Sequence, residues 1–196
     1  IGLYVYCYGS NWYRNNFIYG DLSDFNVLQE KIDSLERNYL FNTEKIKYVK
    51  GDKPDVKCIL CAIRDNNPLV KNLTVHETEK TIIAVNLFPF NPGHLMIFPK
   101  RHIKYVNDMT VDEAMEMHSL LVKTINILDV EFSPSGYNVG YNLGDGSGAS
   151  IPHIHQHVVP RYSNEVGFLD VLSGTRVIVS DPVEVMNRLK VRFSNL

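Results

Sequence analysis

The chain of 196 residues is poor in cysteine, with three, and close to balanced in charge, with 20 Lys and Arg against 22 Asp and Glu. Three cysteines cannot build a disulfide framework, so the fold must rest on its apolar core, which a chain of this length can bury. The lack of a basic excess removes bulk attraction to nucleic acid or to a membrane surface; an anionic ligand must be held by local groups. No run approaches the roughly 20 apolar residues of a membrane span. The aromatic opening over 1–20 is interrupted by Asn11, Arg14, Asn15 and Asn16 and has no basic leader, so it does not read as a signal peptide. These absences point to a reducing, cytoplasmic setting, with neither nucleic acid nor membrane as partner.

What is present is the composition of an ordinary globular protein, 44% hydrophobic and 21% charged. Residues 1–50 read as an N-terminal extension. From Asp21, Phe25, Leu28, Ile32, Leu35 and Tyr39 recur at helical spacing with charged residues between them, an amphipathic helix. Residues 51–196 read as the main domain. The β-branched run over 81–87 and the run over 94–98 are expected to form a hairpin about the Asn91-Pro92-Gly93 turn. Thr110 and Glu113 make a capping box that opens a helix with Ala114, Met117, Leu121, Ile125 and Leu128 on one face. Strands are expected over 136–143 and 153–159, joined by a small-residue loop. A last helix starts at Asp181-Pro182 and runs to about Arg192. With no strict βαβ alternation, the class is α+β, an antiparallel sheet with helices packed against it.

Three of the seven histidines, His153, His155 and His157, fall at alternate positions of an expected strand, which would place them on one face with Ile154, Gln156 and Val158 on the other. Imidazole serves there either as a metal ligand or as a nucleophile and acid/base near neutral pH. Cys58 and Cys61 form a C-x-x-C pair that by itself reads as a metal knuckle, a redox motif or two buried thiols. Joined by two histidines they would close a tetrahedral Cys₂His₂ site, leaving other histidines free for catalysis. Arg161 reads as a phosphate ligand or a strand-end ion pair. His76 and His118 have no motif around them, and Cys7 has no evident partner.

The segment His153-Ile154-His155-Gln156-His157-Val158-Val159, followed by Pro160-Arg161, resembles the signature of the histidine-triad (HIT) superfamily. So does the stretch from Asn86 to His102, with its Pro92-Gly93-His94 and Pro99-Lys100-Arg101-His102. The resemblance implies a HIT-like fold in which His155 attacks an α-phosphorus, its second nitrogen held by a backbone carbonyl. It implies that His157 and His94 face the non-bridging oxygens, and that Gly148, Ala149 and Ser150 line the leaving-group side. Asn142 would contact the phosphate–ribose region, and Asn86 with Leu87 the ribose and base. The same resemblance implies a structural Zn²⁺ on Cys58, Cys61, His102 and His153, no organic cofactor, a nucleotide substrate with an AMP- or GMP-type moiety, and a homodimer. Asn142-Leu143-Gly144 and Ser173-Gly174-Thr175-Arg176-Val177-Ile178 are similar to the diadenosine tetraphosphate phosphorylase/hydrolase branch. That branch's Trp after Pro-Arg is Tyr162 here, and of its next motif only Phe168 is kept, which leaves the acceptor open between water and phosphate. A phosphoramidate hydrolase, another nucleotidyltransferase, a zinc-stabilised nucleotide-binding protein without turnover, and hydrolysis at an open zinc are the competing expectations.

Overall fold

The structure, a computed structural model, describes residues 54–163 and 180–194, with the side chain of Asp145 not described. The expected helix from Asp21, the division at residue 50 and the 173–178 stretch lie outside the described residues. The described elements are α1 (Ile59–Arg64), β1 (Thr74–Glu77), β2 (Thr81–Val85), β3 (Leu95–Pro99), α2 (Val111–Phe132), β4 (Gly136–Tyr141), β5 (Gln156–Arg161) and α3 (Pro182–Phe193). The strands form one five-stranded sheet in the order β1-β2-β3-β5-β4, antiparallel throughout. The fold class is α+β, as the sequence implies.

The β2–β3 hairpin forms about Asn91-Pro92-Gly93, pairing Thr81 with Pro99 through Val85 with Leu95. Gly93 has φ +78°, and a Cβ there would sit 3.3 Å from Leu128, Phe132 and Pro160, so the turn needs glycine for conformation and for room. Every residue of β2 and β3 is buried. Alternation sends Ile83, Val85, Leu95 and Ile97 into the core beneath α2 and α3, and Ile82, Ala84, Met96 and Phe98 into a second core with Cys58, Leu60 and Ile63 of the α1 region. This second face carries the candidate site side chains.

Two expectations need correction, and one strand was not expected. Strand β5 begins at Gln156, so His153 and His155 precede it and the three histidines do not share a strand face. The ladder to β3 ends at Ile97–Gln156. Pro99 has no N–H with which to extend it, and its carbonyl is taken by His153 Nε2 at 3.0 Å. The buried stripe of α2 is Glu113, Met117, Leu120, Thr124 and Leu128, while Ala114 is exposed and Leu121 and Ile125 are half-buried. Glu113 is drawn inward by Arg101, whose Nε and Nη2 donate to its carboxylate at 2.9 and 2.7 Å. Strand β1 escaped the sequence reading because it is four residues long and its pairing shifts between Thr74 and His76.

The capping box is formed as expected: Thr110 Oγ1 accepts from Glu113 N–H and the Glu113 carboxylate accepts from Thr110 N–H. Asp181 likewise accepts from Val183 N–H at 2.7 Å, with Pro182 opening α3. Thr110→Ala removes one arm of the box and should cost about 1 kcal/mol of stability. An unchanged denaturation midpoint in that variant would show that α2 does not depend on its cap.

Candidate active site and metal centre

Cys58 sits at the N-cap of α1 and Cys61 one turn into it, so both sulfurs face the loops that carry His102 and His153. The ligand atoms of these four side chains lie within 4.8 Å of one another. Cys58 Sγ is 3.4 Å from His153 Nδ1, and Cys61 Sγ is 3.3 Å from His102 Nδ1 and 3.6 Å from His153 Nδ1. A tetrahedral ion with bonds of about 2.3 Å to sulfur and about 2.0 Å to nitrogen holds those atoms about 3.5 Å apart. The donor chemistry agrees. His153 Nε2–H donates to the Pro99 carbonyl, which leaves Nδ1 unprotonated toward the sulfurs and supplies the outer-shell bond typical of a ligating histidine. Burial, with Cys58 beside it, pushes the Cys61 thiol up to about 11. Cys61 therefore holds its proton until a cation displaces it.

The second group is a relay of tautomers. The Phe90 N–H donates to His94 Nδ1 at 3.1 Å, so neutral His94 carries its proton on Nε2. That nitrogen lies 3.0 Å from His157 Nδ1, which accepts, leaving the His157 proton on Nε2. Among the described residues His157 Nε2 has no hydrogen-bond partner, and His157 is one of the residues lining a cavity of about 300 Å³. His155 is wired the opposite way: Nδ1–H donates to the His153 carbonyl at 2.8 Å, so Nε2 keeps its lone pair. The two rings meet edge to face at 4.7 Å. A lone pair and an N–H donor thus stand side by side at one cavity wall.

Electrostatics keep both rings neutral. Burial lowers His155 below the ordinary histidine value of 6.5, and burial followed by the His155 charge lowers His157 to about 4. Asn86, Leu87, Asn142, Gly148 and Ser150 line the same cavity. Ala149 is half-buried beside them but is not among its lining residues. Asn86 Oδ1 accepts from Phe88 N–H at 3.0 Å, and its Nδ2 lies 3.4 Å from His94 Nε2. The sequence reading missed the apolar walls, Ile59, Leu60 and Ile63 of α1 with Val70 and Ile151, and the cation at the cavity, Lys71. Only the adjacency of Ile59 and Leu60 to Cys58 hinted at these walls. Arg161 lines a neighbouring cavity with His157 and Asn142, its Nη1 donating to Asn138 Oδ1 at 2.6 Å, and Tyr162 donates to the Pro92 carbonyl at 2.9 Å.

The HIT domain profile matches residues 62–164, and the chain belongs to the HIT family. It is 37% identical over 109 residues to the AP-4-A phosphorylase of Mycobacterium tuberculosis, covering 55% of this chain and 56% of that protein. It is 36% identical over 113 residues to a 16.1 kDa HIT-like protein of Mycoplasma pneumoniae, covering 57% and 76%. The chain thus spans about half the length of the phosphorylase it matches. Among solved structures, a zinc-bound histidine triad family protein from Mycobacterium smegmatis superposes with TM-score 0.59 at 23% identity, covering 71% of this chain and 94% of that one. This last likeness is one of fold.

Cobalt(II) added to metal-free protein should give the intense thiolate-to-metal absorption and tetrahedral visible bands of a site with two sulfur ligands. Cys58→Ser should weaken the thiolate band. Octahedral spectra, or bands indifferent to Cys58, would remove these residues from metal binding.

Proposed function

We propose that the chain cleaves dinucleoside polyphosphates, such as diadenosine tetraphosphate, at an α-phosphate through a covalent nucleotidyl-His155. The observation that carries this reading is the opposed wiring of His155 and His157, a free Nε2 lone pair beside an unpartnered Nε2–H. His155 Nε2 attacks the α-phosphorus, an N–P bond forms, and the bridging P–O bond breaks with its electron pair leaving on the polyphosphate. Water then cleaves the N–P bond to give the nucleoside monophosphate, or phosphate does so to give the diphosphate. His157 Nε2–H donates to the non-bridging oxygen that gains charge in the transition state, and His94 holds His157 in that tautomer. Asn86 and Leu87 take the ribose and base, Asn142 the phosphate–ribose region, and the Gly148–Ser150 backbone the leaving group. The phosphorylase named among the relatives supports this substrate class, as does a cavity lined by Lys71 and, among the described residues, by no carboxylate.

Zinc is the ion that the Cys₂His₂ donor set fits. Bound there it supplies a closed structural cross-link, with no coordination position left for substrate. A homodimer, a cytoplasmic location and residues 1–50 as a separate extension complete the proposal. No described helix is long and apolar enough to cross a membrane. The edge strand β4 exposes Val139, which suits pairing with a second copy.

Brief mixing with diadenosine tetraphosphate, a mildly alkaline denaturing quench and intact-mass spectrometry should detect a nucleotidyl adduct, absent from His155→Asn. Bound nucleotide with neither adduct nor turnover would instead mark a binding protein. Nucleoside phosphoramidates, assayed with and without phosphate, separate the nearest alternative activities.

The pH profile follows from burial. Protonation of His155 removes the attacking lone pair, so activity falls as pH falls, and a lowered value displaces that acid limb below 6.5. A midpoint of kcat/KM above 6.5 on the acid side would contradict His155 as a neutral, buried nucleophile.

A further inference from the structure

The two side-chain groups meet at one peptide unit. The 153–154 peptide offers its carbonyl to the nucleophile, accepting from His155 Nδ1–H at 2.8 Å. Its N–H, on Ile154, donates to the Ile103 carbonyl, also at 2.8 Å. Ile103 directly follows His102, and His153 carries the carbonyl itself, so both histidines of the metal group flank this peptide. Cys61 Sγ bridges the two rings, 3.3 Å from His102 Nδ1 and 3.6 Å from His153 Nδ1. His153 and Ile154 are 1% and 2% exposed, so water has no access to replace either bond.

We propose that the metal centre acts on the nucleophile as well as on the fold. An ion shared by His102 and His153 clamps the 153–154 peptide, and the clamped carbonyl dictates the tautomer and aim of His155. His153 is then a positioning residue whose ring serves the metal and whose backbone serves catalysis. Without an ion, the Ile154–Ile103 and His153–Pro99 hydrogen bonds still tie the two loops, but the His102 and His153 rings meet only through sulfur–nitrogen contacts, so the peptide can tilt about those bonds and His155 Nδ1–H loses its fixed acceptor geometry. The ring is then free to exchange its proton between Nδ1 and Nε2. The catalytic consequence rests on the function proposed above; the structural one does not.

Long-range ¹H–¹⁵N spectra of ring-labelled protein at a fixed, mildly alkaline pH read the tautomer directly. Zinc-loaded protein should show His155 as the pure Nδ1–H form. Protein stripped by a chelator should show a tautomer mixture at His155 and no change at exposed His118. Single-turnover nucleotidylation should fall about 10- to 100-fold on stripping, the range for losing an outer-shell partner of a functional group. A stripped, folded protein that keeps the pure tautomer and the parent rate would overturn the proposal. Should the stripped protein not fold, Cys61→Ser held in saturating zinc decides: a mixed His155 tautomer supports the coupling and a parent-like one refutes it. Absence of nucleotidylation in loaded parent protein would instead refute the proposed activity, while the tautomer comparison still decides the coupling.

Discussion

Burial of the β2–β3 hairpin on both faces is the constraint from which the rest of the architecture follows. A strand pair hidden on one side can leave the other to water, but here each alternate residue has a core to enter. The larger core is closed by α2 and α3. The smaller is closed by α1, a helix of only six residues with no side-chain cap at its N-terminus. Such a helix has little stability of its own, and what surrounds its start is the Cys₂His₂ group. The residues that α1 contributes, Leu60 and Ile63, serve the second core and the cavity wall together. The Cys₂His₂ group, helix and cavity therefore form one packing unit on the face of the hairpin opposite the long helix.

His94 enters the site from the same hairpin. It follows the Gly93 turn, opposite the end of β2, with its ring stacked on Phe90 at 5.0 Å. Its neighbour Met96 pairs in register with His157 across β3 and β5. On the other side His157 faces Gly140 of β4. The register that buries Leu95, Ile97 and Val158 on one face thus delivers His157 to the other, beside His94, with no independent adjustment.

Much of this was legible because it is written in local chemistry. The Pro92-Gly93 turn, the Thr110 box and the Asp181-Pro182 start depend on a few neighbouring residues, and each has the expected form. The histidine row was legible as a cluster and misread as geometry. Alternation would give three rings on one strand face. The chain instead leaves the ladder at Gln156, and His153 turns to Cys58 and Cys61 while His155 turns toward the cavity. That break is set by Pro99 and by the Ile154–Ile103 bond, contacts between segments about 50 residues apart that no local window contains. The apolar walls were hidden for a similar reason: Ile59, Val70 and Ile151 belong to three separate segments whose convergence is a property of the sheet, not of any motif.

The orienting partner of His155 is a neutral carbonyl, and the choice has chemical consequences. A carboxylate on Nδ1 would favour the imidazolium and raise the histidine's affinity for a proton, filling the lone pair on which the proposed attack on phosphorus depends. It would also place negative charge near an incoming polyphosphate. A carbonyl fixes the same tautomer with a dipole and no net charge. The relay on the other side follows the same rule, since the Phe90 amide, not an acid, starts the proton order that ends at His157 Nε2. Neutral groups thus orient both rings, and burial lowers the affinity of both for an added proton. The arrangement is suited to an anionic electrophile: positive character is supplied by an N–H aimed at developing charge, not by a permanent imidazolium whose formation would disarm its neighbour.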